Sequence, residues 1–278
     1  MVQEKVAVAK VEAVEGEVVD KREAEKAPYD FEVKREKLTI HGIDTGKDAI
    51  YRADAKVCLG VVSRDYKMVT HQEAAKTAYE AMKGFGKFST LRHHLTQGGA
   101  RVYIEFKAEK QYNIGKIFDG KDDIVNPMFV LNNSYDGTKQ CGFEFAVYRL
   151  VCKNGLRVPQ KVFISLHKHT QDLNLTSTMA HLKQLTQDFE TKTLPLWKTW
   201  NTRAVKVDSL VDSLVEKEYV TNRTVKRLRE ANQFEKNKTA WDVYNTFTAY
   251  YTHDYKDSFD SAHYYNQRVI DGMMNVLG

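Results

Sequence analysis

Arg101, Tyr103, Glu105 and Lys107 occupy alternate positions of Arg101-Val-Tyr-Ile-Glu-Phe-Lys107, with Val102, Ile104 and Phe106 between them. Strict alternation is the signature of a strand with one face against a core and one facing water. Arg92, His93 and His94 lie just upstream, and Lys110 and Tyr112 just downstream. Cations interleaved with rings suit a single nucleic-acid strand, because guanidinium and ammonium groups meet phosphates while rings stack on bases without reading sequence. Arg92, Arg101, Tyr103, Lys107 and Lys110 are therefore the candidate nucleic-acid-binding residues. The competing reading is an ordinary exposed sheet face, with Tyr103 covering a neighbour.

Other chemistry is poorly provided for. There is no phosphate loop of the Walker or dinucleotide type, no HExxH and no Gly-x-Ser-x-Gly elbow. Nucleotide hydrolysis and common hydrolase reactions are not expected, and neither is a cofactor. His93-His94 and His167-Lys-His169 are the histidine clusters, but no third metal ligand accompanies them. Ordinary polar histidines are the better reading. Asp119, Asp122 and Asp123 look like acids of a solvated turn rather than a two-metal site. Arg149 shares its parity with Phe143, Phe145, Val147 and Val151, so it falls on an apolar face and needs a buried anionic or carbonyl partner. Arg223, Lys226, Arg227 and Arg229 read as a solvated helix face.

These residues need a scaffold. Thr70-His-Gln-Glu73 has capping-box spacing, and Ala75, Ala78, Tyr79, Met82 and Phe85 follow at helical intervals before Gly84 and Gly86, predicting a helix over about 71–84. Extended segments are expected around 38–40, 49–53 and 57–62. Met128–Leu131 is an apolar run, Asn132–Gly137 has turn chemistry, and the run from Cys141 to Cys152 is apolar on both faces, as a central strand would be. A further strand is expected over 161–167. Beyond residue 170 the period lengthens to about 3.6: Leu175, Met179, Leu182, Leu185 and Phe189 form one stripe, Val207, Leu210, Val211, Leu214 and Val215 another, and 222–231, 239–253 and 259–276 are helical in pattern. The expected fold class is α+β: a mainly antiparallel sheet with a packed helix over 29–169, followed by a helical region over 170–278. Residues 1–28, rich in Val, Ala, Glu and Lys without aromatics, read as a disordered tail.

Composition sets the outer bounds. The 278 residues are 42% hydrophobic and 28% charged, with no apolar run long enough for a membrane span. Residues 1–28 hold seven acids against five bases, so a chain of net charge +5 carries +7 over its remainder, which permits a polyanionic partner. Cys58, Cys141 and Cys152 lack metal-ligand spacing and are expected to be reduced and buried. The start lacks the apolar stretch of a secretory leader, so a cytoplasmic protein without membrane attachment is expected.

Three stretches carry a resemblance. Asn133-Ser-Tyr-Asp-Gly-Thr138, Phe145-Ala-Val-Tyr-Arg-Leu-Val-Cys-Lys-Asn-Gly-Leu156 and Thr239-Ala-Trp-Asp-Val-Tyr-Asn-Thr-Phe-Thr-Ala-Tyr-Tyr-Thr-His253 resemble motifs of the phage/plasmid-like domain-of-unknown-function family nine-three-two, over roughly 50–255. Gly60-Val-Val and Gly98-Gly-Ala-Arg101 fall in the expected upstream places. Tyr135 stands where the family more usually has His, and Gly155 where it has Thr. The resemblance implies a phage or plasmid origin and no established reaction. More remotely, a sheet-and-helix module with basic and aromatic residues is similar to the Rad fifty-two-type annealing proteins, which implies a homo-oligomer that pairs single strands without ATP. A non-enzymatic interaction protein that binds a host or phage protein, and a metal-dependent enzyme acting on nucleic acid, are the alternatives.

Overall fold

Thr70 accepts a hydrogen bond from the Glu73 backbone, and the Glu73 carboxylate accepts one from the Thr70 N–H. This capping box starts helix α1, His71–Phe85, and Gly86 ends it with its N–H on the Met82 carbonyl. Gly84 is not the stop. It lies inside the helix against Met179, where an added Cβ would sit 2.4 Å from the sulfur, so it permits the close approach of the second helix. The computed structural model describes residues 27–117, 120–150, 154–157, 163–165, 175–255 and 259–278. The N-terminal stretch read as a tail falls almost wholly outside these residues, as do Cys152, His167, His169 and Asp119.

Strands β1 (Val33–Ile40), β2 (Ile43–Arg52) and β3 (Val57–Ser63) precede α1 and make a three-stranded antiparallel sheet. His41 and Gly42 have φ of 52° and 78°, and two consecutive positive values suit the two-residue turn joining β1 to β2. After α1 come β4 (Phe88–Thr96), β5 (Arg101–Ala108), β6 (Tyr112–Lys116), β7 (Asp122–Ser134), β8 (Gly142–Arg149), β9 (Asn154–Arg157) and β10 (Phe163–Ser165). They form a seven-stranded sheet in the order β10-β8-β7-β5-β4, with β6 also on β7 and β9 also on β8. Each ladder is antiparallel.

The long strand β7 changes partner midway. It pairs with β6 over Asp122–Val125 and with β5 over Met128–Ser134. Pro127, which has no N–H to give a ladder, lies at the changeover, and Asn126 Nδ2 points into the gap toward the carbonyls of Ala108 at 2.9 Å and Lys110 at 3.0 Å. A proline inside a central strand is tolerable only at such a break.

The helices follow: α2 (Leu175–Asp188), α3 (Leu194–Thr202), α4 (Val207–Glu216), α5 (Asn222–Glu230), α6 (Ala240–Ala249) and α7 (Phe259–Leu277). A π-helical turn over Phe189–Thr193 joins α2 to α3. The α+β class is as expected, but α3, β4 and β6 are elements that the sequence pattern does not announce. One face of the large sheet supplies Val102, Ile104, Phe106, Phe129, Leu131, Phe143, Phe145 and Val147 to a core shared with Met82, Phe189, Trp197 and Trp241. Burial of each such side chain contributes about 1.5–3 kcal/mol. The tie between halves is ionic as well: Arg149 meets Asp123 through Nε at 2.7 Å and Nη2 at 2.6 Å, and Trp241 Nε1 donates to the same carboxylate at 2.7 Å. Arg149 thus has the buried anionic partner its parity demands. Asp123, expected in a solvated turn, is instead fully buried on β7, because that strand begins earlier than its apolar run. Cys58 is exposed rather than buried, whereas Cys141 is buried.

Candidate nucleic-acid interface

Register brings four of the five candidate residues to one face of the large sheet. Arg92 lies opposite Glu105, His94 opposite Tyr103 and Thr96 opposite Arg101. On the other side of β5, Tyr103 faces Asn132, Glu105 faces Val130 and Lys107 faces Met128. This face is not half-wet, as the alternation suggests: Tyr103, Met128, Val130 and Ala146 form a second apolar cluster with Leu91 and Tyr148 at its margin.

Tyr103 is 2% exposed, so its ring is closed to a base and supports the surface from below. The reading of Tyr103 as a stacking platform is corrected here, because side chains that neighbouring strands place on the same face, Met128, Val130 and Ala146 among them, pack around its ring. Lys139 extends over the Tyr103 ring at 6.0 Å, and Lys107 over the Tyr148 ring at 5.6 Å. Such contacts pin a flexible ammonium while leaving its outward side able to meet an anion.

Three acids temper the charge: Glu105, Asp136, and Glu144, which accepts from Asn132 Nδ2 at 2.8 Å. Glu105, 3% exposed, accepts from Arg92 Nε at 2.8 Å and lies 3.8 Å from His94 Nε2. Burial lowers the His94 pKa, and Glu105 offsets part of that effect. Arg101 donates to Asp136 at 2.9 Å. Burial opposes ionisation of Asp136, but bonds from Thr138 and Arg101 outweigh it and hold the carboxyl below its usual range. Arg92 keeps 41% of its side chain exposed, whereas Arg101 keeps 19%.

Lys110 does not join the other four. It follows the end of β5 and bonds Glu190 of the π turn at 2.6 Å, on the side of the sheet that carries α1 and α2. The bonds from Glu190 and Tyr112 raise the Lys110 pKa, and burial followed by the Glu190 bond pushes Tyr112 up to about 12. Sequence reasoning missed Lys139 and Tyr148. Tyr148 has the parity opposite to Arg149, a signal available from the same alternation; Lys139 sits beyond a turn and gives none.

His93 and His94 do not converge on a common site. His93 faces Tyr29 at 5.4 Å between ring centroids, while its neighbour His94 faces Glu105. Asp122 pairs with Lys116 while Asp123 is buried against Arg149. Among the described residues no group of three His, Cys, Asp or Glu side chains is placed to hold a metal ion. The helix-face cations are tied too: Arg229 bonds Asp208 and Asp212 of α4, and Arg227 bonds the Tyr250 hydroxyl.

The motif residues form joints rather than an open pocket. Asn133 Nδ2 donates to the Val69 carbonyl and to His71 Nδ1, both at 3.0 Å, which fixes the His71 proton on Nε2, 3.0 Å from the Gly99 carbonyl. The His71 N–H donates to the Tyr135 hydroxyl at 2.9 Å. Burial depresses the His71 pKa to about 4, partly countered by the Gly99 bond. Gly60 passes so close that an added Cβ would stand 2.6 Å from Asp136 Cα.

The chain is thus an α+β protein in which two antiparallel sheets are fastened to a helical half by buried polar joints. Residues 58–270 match the family model described as Domain of unknown function (DUF932), and the chain belongs to that family. No curated protein and no solved structure matches it. Among the described residues, no helix is long and apolar enough to cross a membrane.

Proposed function

We propose that the protein binds single-stranded DNA without reading sequence and promotes annealing of complementary strands without ATP, as a non-enzymatic homo-oligomer in the cytoplasm of a phage or plasmid host. The observation that supports this reading is the sheet face on which Arg92, Lys107 and Lys139 surround the rings of Tyr103 and Tyr148, each lysine seated over a ring. Outward-facing cations take phosphates, and the half-buried Tyr148, rather than Tyr103, offers an edge to bases. Glu105 holds Arg92 in place, and the salt sensitivity of binding should scale with the number of phosphates that the cations of the face contact.

Fluorescence anisotropy of labelled oligo-dT at low and moderate salt, with duplex as comparison, tests this. The single strand is expected to bind more tightly, and Lys107→Ala with Lys139→Ala to reduce the slope of log affinity against log salt by about 1.4, at about 0.7 per lost phosphate contact. Absence of binding at low salt would reject the reading. The alternative, an interaction protein, draws support from the exposed apolar side chains of the three-stranded sheet, where Ile40 is 59% and Ile43 72% exposed.

A further inference from the structure

Exposed large hydrophobic side chains among the described residues lie on the three-stranded sheet, with one exception: Tyr264, in the second turn of α7, is 52% exposed. It is the outer end of a row of rings. Tyr264 meets Tyr265 edge-on at 5.3 Å between centroids, and Tyr265 stacks on Tyr251 at 4.9 Å with planes 11° apart. Tyr255 stands edge-on to Tyr265 at 5.2 Å and to Tyr251 at 5.6 Å. A second π-helical turn, Tyr250–Asp254, ends α6 and supplies Tyr251, with Tyr255 directly after it. Tyr251 is buried and its hydroxyl donates to Thr224 Oγ1 of α5 at 3.2 Å, so the inner ring fixes the outer ones. Rings held this way lose little freedom when a ligand stacks on them.

The row is flanked by cations whose charge no contact cancels. Arg268 lies 5.6 Å over the Tyr264 ring and directs its N–H groups to neutral oxygens: the Tyr264 hydroxyl at 3.1 Å and the carbonyls of Tyr219 and Glu218. Arg227 of α5 donates to the Tyr250 hydroxyl at 3.2 Å, and the Tyr250 ring adjoins Tyr255 at 6.0 Å. Among the described residues neither guanidinium forms an ion pair: Glu230 pairs with Lys226, Asp271 accepts from Gln267 at 2.9 Å, and the exposed Glu218 and Asp254 carboxylates pair with neither. A guanidinium oriented by neutral acceptors keeps its charge for an anion.

The row also adjoins the sheet face. His263, the residue before Tyr264, reaches Glu144 of β8 at 2.6 Å, and Glu144 accepts from Asn132, which lies opposite Tyr103. Tyr264 thus stands one residue from the margin of the face that carries Lys107 and Lys139. We propose that a single strand lying on the sheet face continues onto this ridge, stacking a base on Tyr264 and setting phosphates against Arg268 and Arg227; the inference rests on the single-strand reading above and extends it to the helical half. An open ring beside an uncancelled cation suits a base and its phosphate, and it supplies the stacking surface that the buried Tyr103 does not.

Anisotropy with oligo-dT of about 20 nucleotides, long enough to cover both surfaces, tests this. Tyr264→Ala is expected to weaken binding about 5-fold or more, the loss of one stacked base, with circular dichroism unchanged because the ring is exposed. Tyr264→Trp should keep the affinity, and dT should quench its added emission, since Trp197, Trp200 and Trp241 are buried away from any stacked base. Tyr264→Ala binding like wild type, or emission of the Tyr264→Trp variant that dT leaves unchanged, would overturn the ridge. Lys107→Ala with Lys139→Ala separates the two surfaces. If only the lysine variant loses affinity, the sheet reading stands and the ridge falls; if only Tyr264→Ala does, the ridge holds the strand and the sheet face does not. A wild-type chain that binds no strand at low salt rejects both and leaves the ridge to a protein partner.

Discussion

Arg149, Asp123 and Trp241 carry the strongest energetic expectation at the scale of single residues. Replacing Asp123 by Ala leaves a guanidinium buried without its anion, and breaking a pair of this kind costs about 3–5 kcal/mol. Urea denaturation followed by tryptophan emission should show the midpoint fall accordingly. Arg149→Met with Asp123→Leu should recover part of the loss, because no charge is then buried alone. His71 gives a pH expectation. Its folded pKa of about 4 lies below the ordinary imidazole value of 6.5, so below neutrality the unfolded chain takes up the proton first. Stability is therefore full above pH 6.5 and declines toward pH 4, by up to about 3 kcal/mol if His71 acts alone. Burial lowers the His94 pKa too, so that residue adds to the decline. His71→Gln should flatten this part of the pH profile, and an unchanged profile would assign the decline elsewhere. The buried arginine was legible in the sequence because parity alone put it among phenylalanines. Its partner was not, since Asp123 stands before the apolar run and only the pairing of β7 with β8, which sets Val125 opposite Arg149, brings the carboxylate two residues earlier within reach.

Elements differ in how clearly their residues announce them. Helix α1 is written twice, in its capping box and in its apolar period, and the structure follows both. Helix α3 has Pro195 in its first turn and only Trp197 and Trp200 as buried residues, too short a stripe to stand out. Strand β4 is missed because Arg92, His93 and His94 interrupt its alternation, with a bulge between Thr90 and Arg92. The candidate face was misjudged for a related reason: alternation in β5 shows which residues share a side, but only neighbouring strands decide whether that side is dry. Two glycines test element contacts directly. Gly60→Ala would drive a Cβ into the Asp136 backbone, which cannot yield cheaply, so a loss of about 1–3 kcal/mol is expected in thermal or urea unfolding. Gly84→Ala meets only the flexible Met179 side chain, and the gain in helix propensity, about 1 kcal/mol, should bring it close to neutral. Equal losses at both positions would contradict this account.

For the molecule as a whole, the helices complete a core that the sheet cannot close by itself. Phe129, Phe145 and Val147 are covered by side chains that include Phe189, Trp197 and Trp241, and Asp123 accepts the Trp241 indole proton. Sheet and helices should therefore melt together, with far-ultraviolet dichroism and tryptophan emission giving one coincident transition. A fragment ending at residue 174 should expose that apolar face, bind a hydrophobic dye and aggregate; a soluble, cooperatively folding fragment would show that the two halves are separable.

The charges on β1 have a bearing on aggregation. In the described residues this strand pairs only with β2, and an open edge of 8 residues invites a copy of itself to add on. Antiparallel self-pairing about a two-fold on Glu36, with faces matched, sets Glu36 against Glu36 and Arg35 against Lys37 on either side, and like charges directly opposite oppose that register. The same strand ends in the exposed Ile40, so backbone addition is discouraged where side-chain contact is left open. A chain built this way can keep an apolar strand end at high concentration without seeding a runaway sheet.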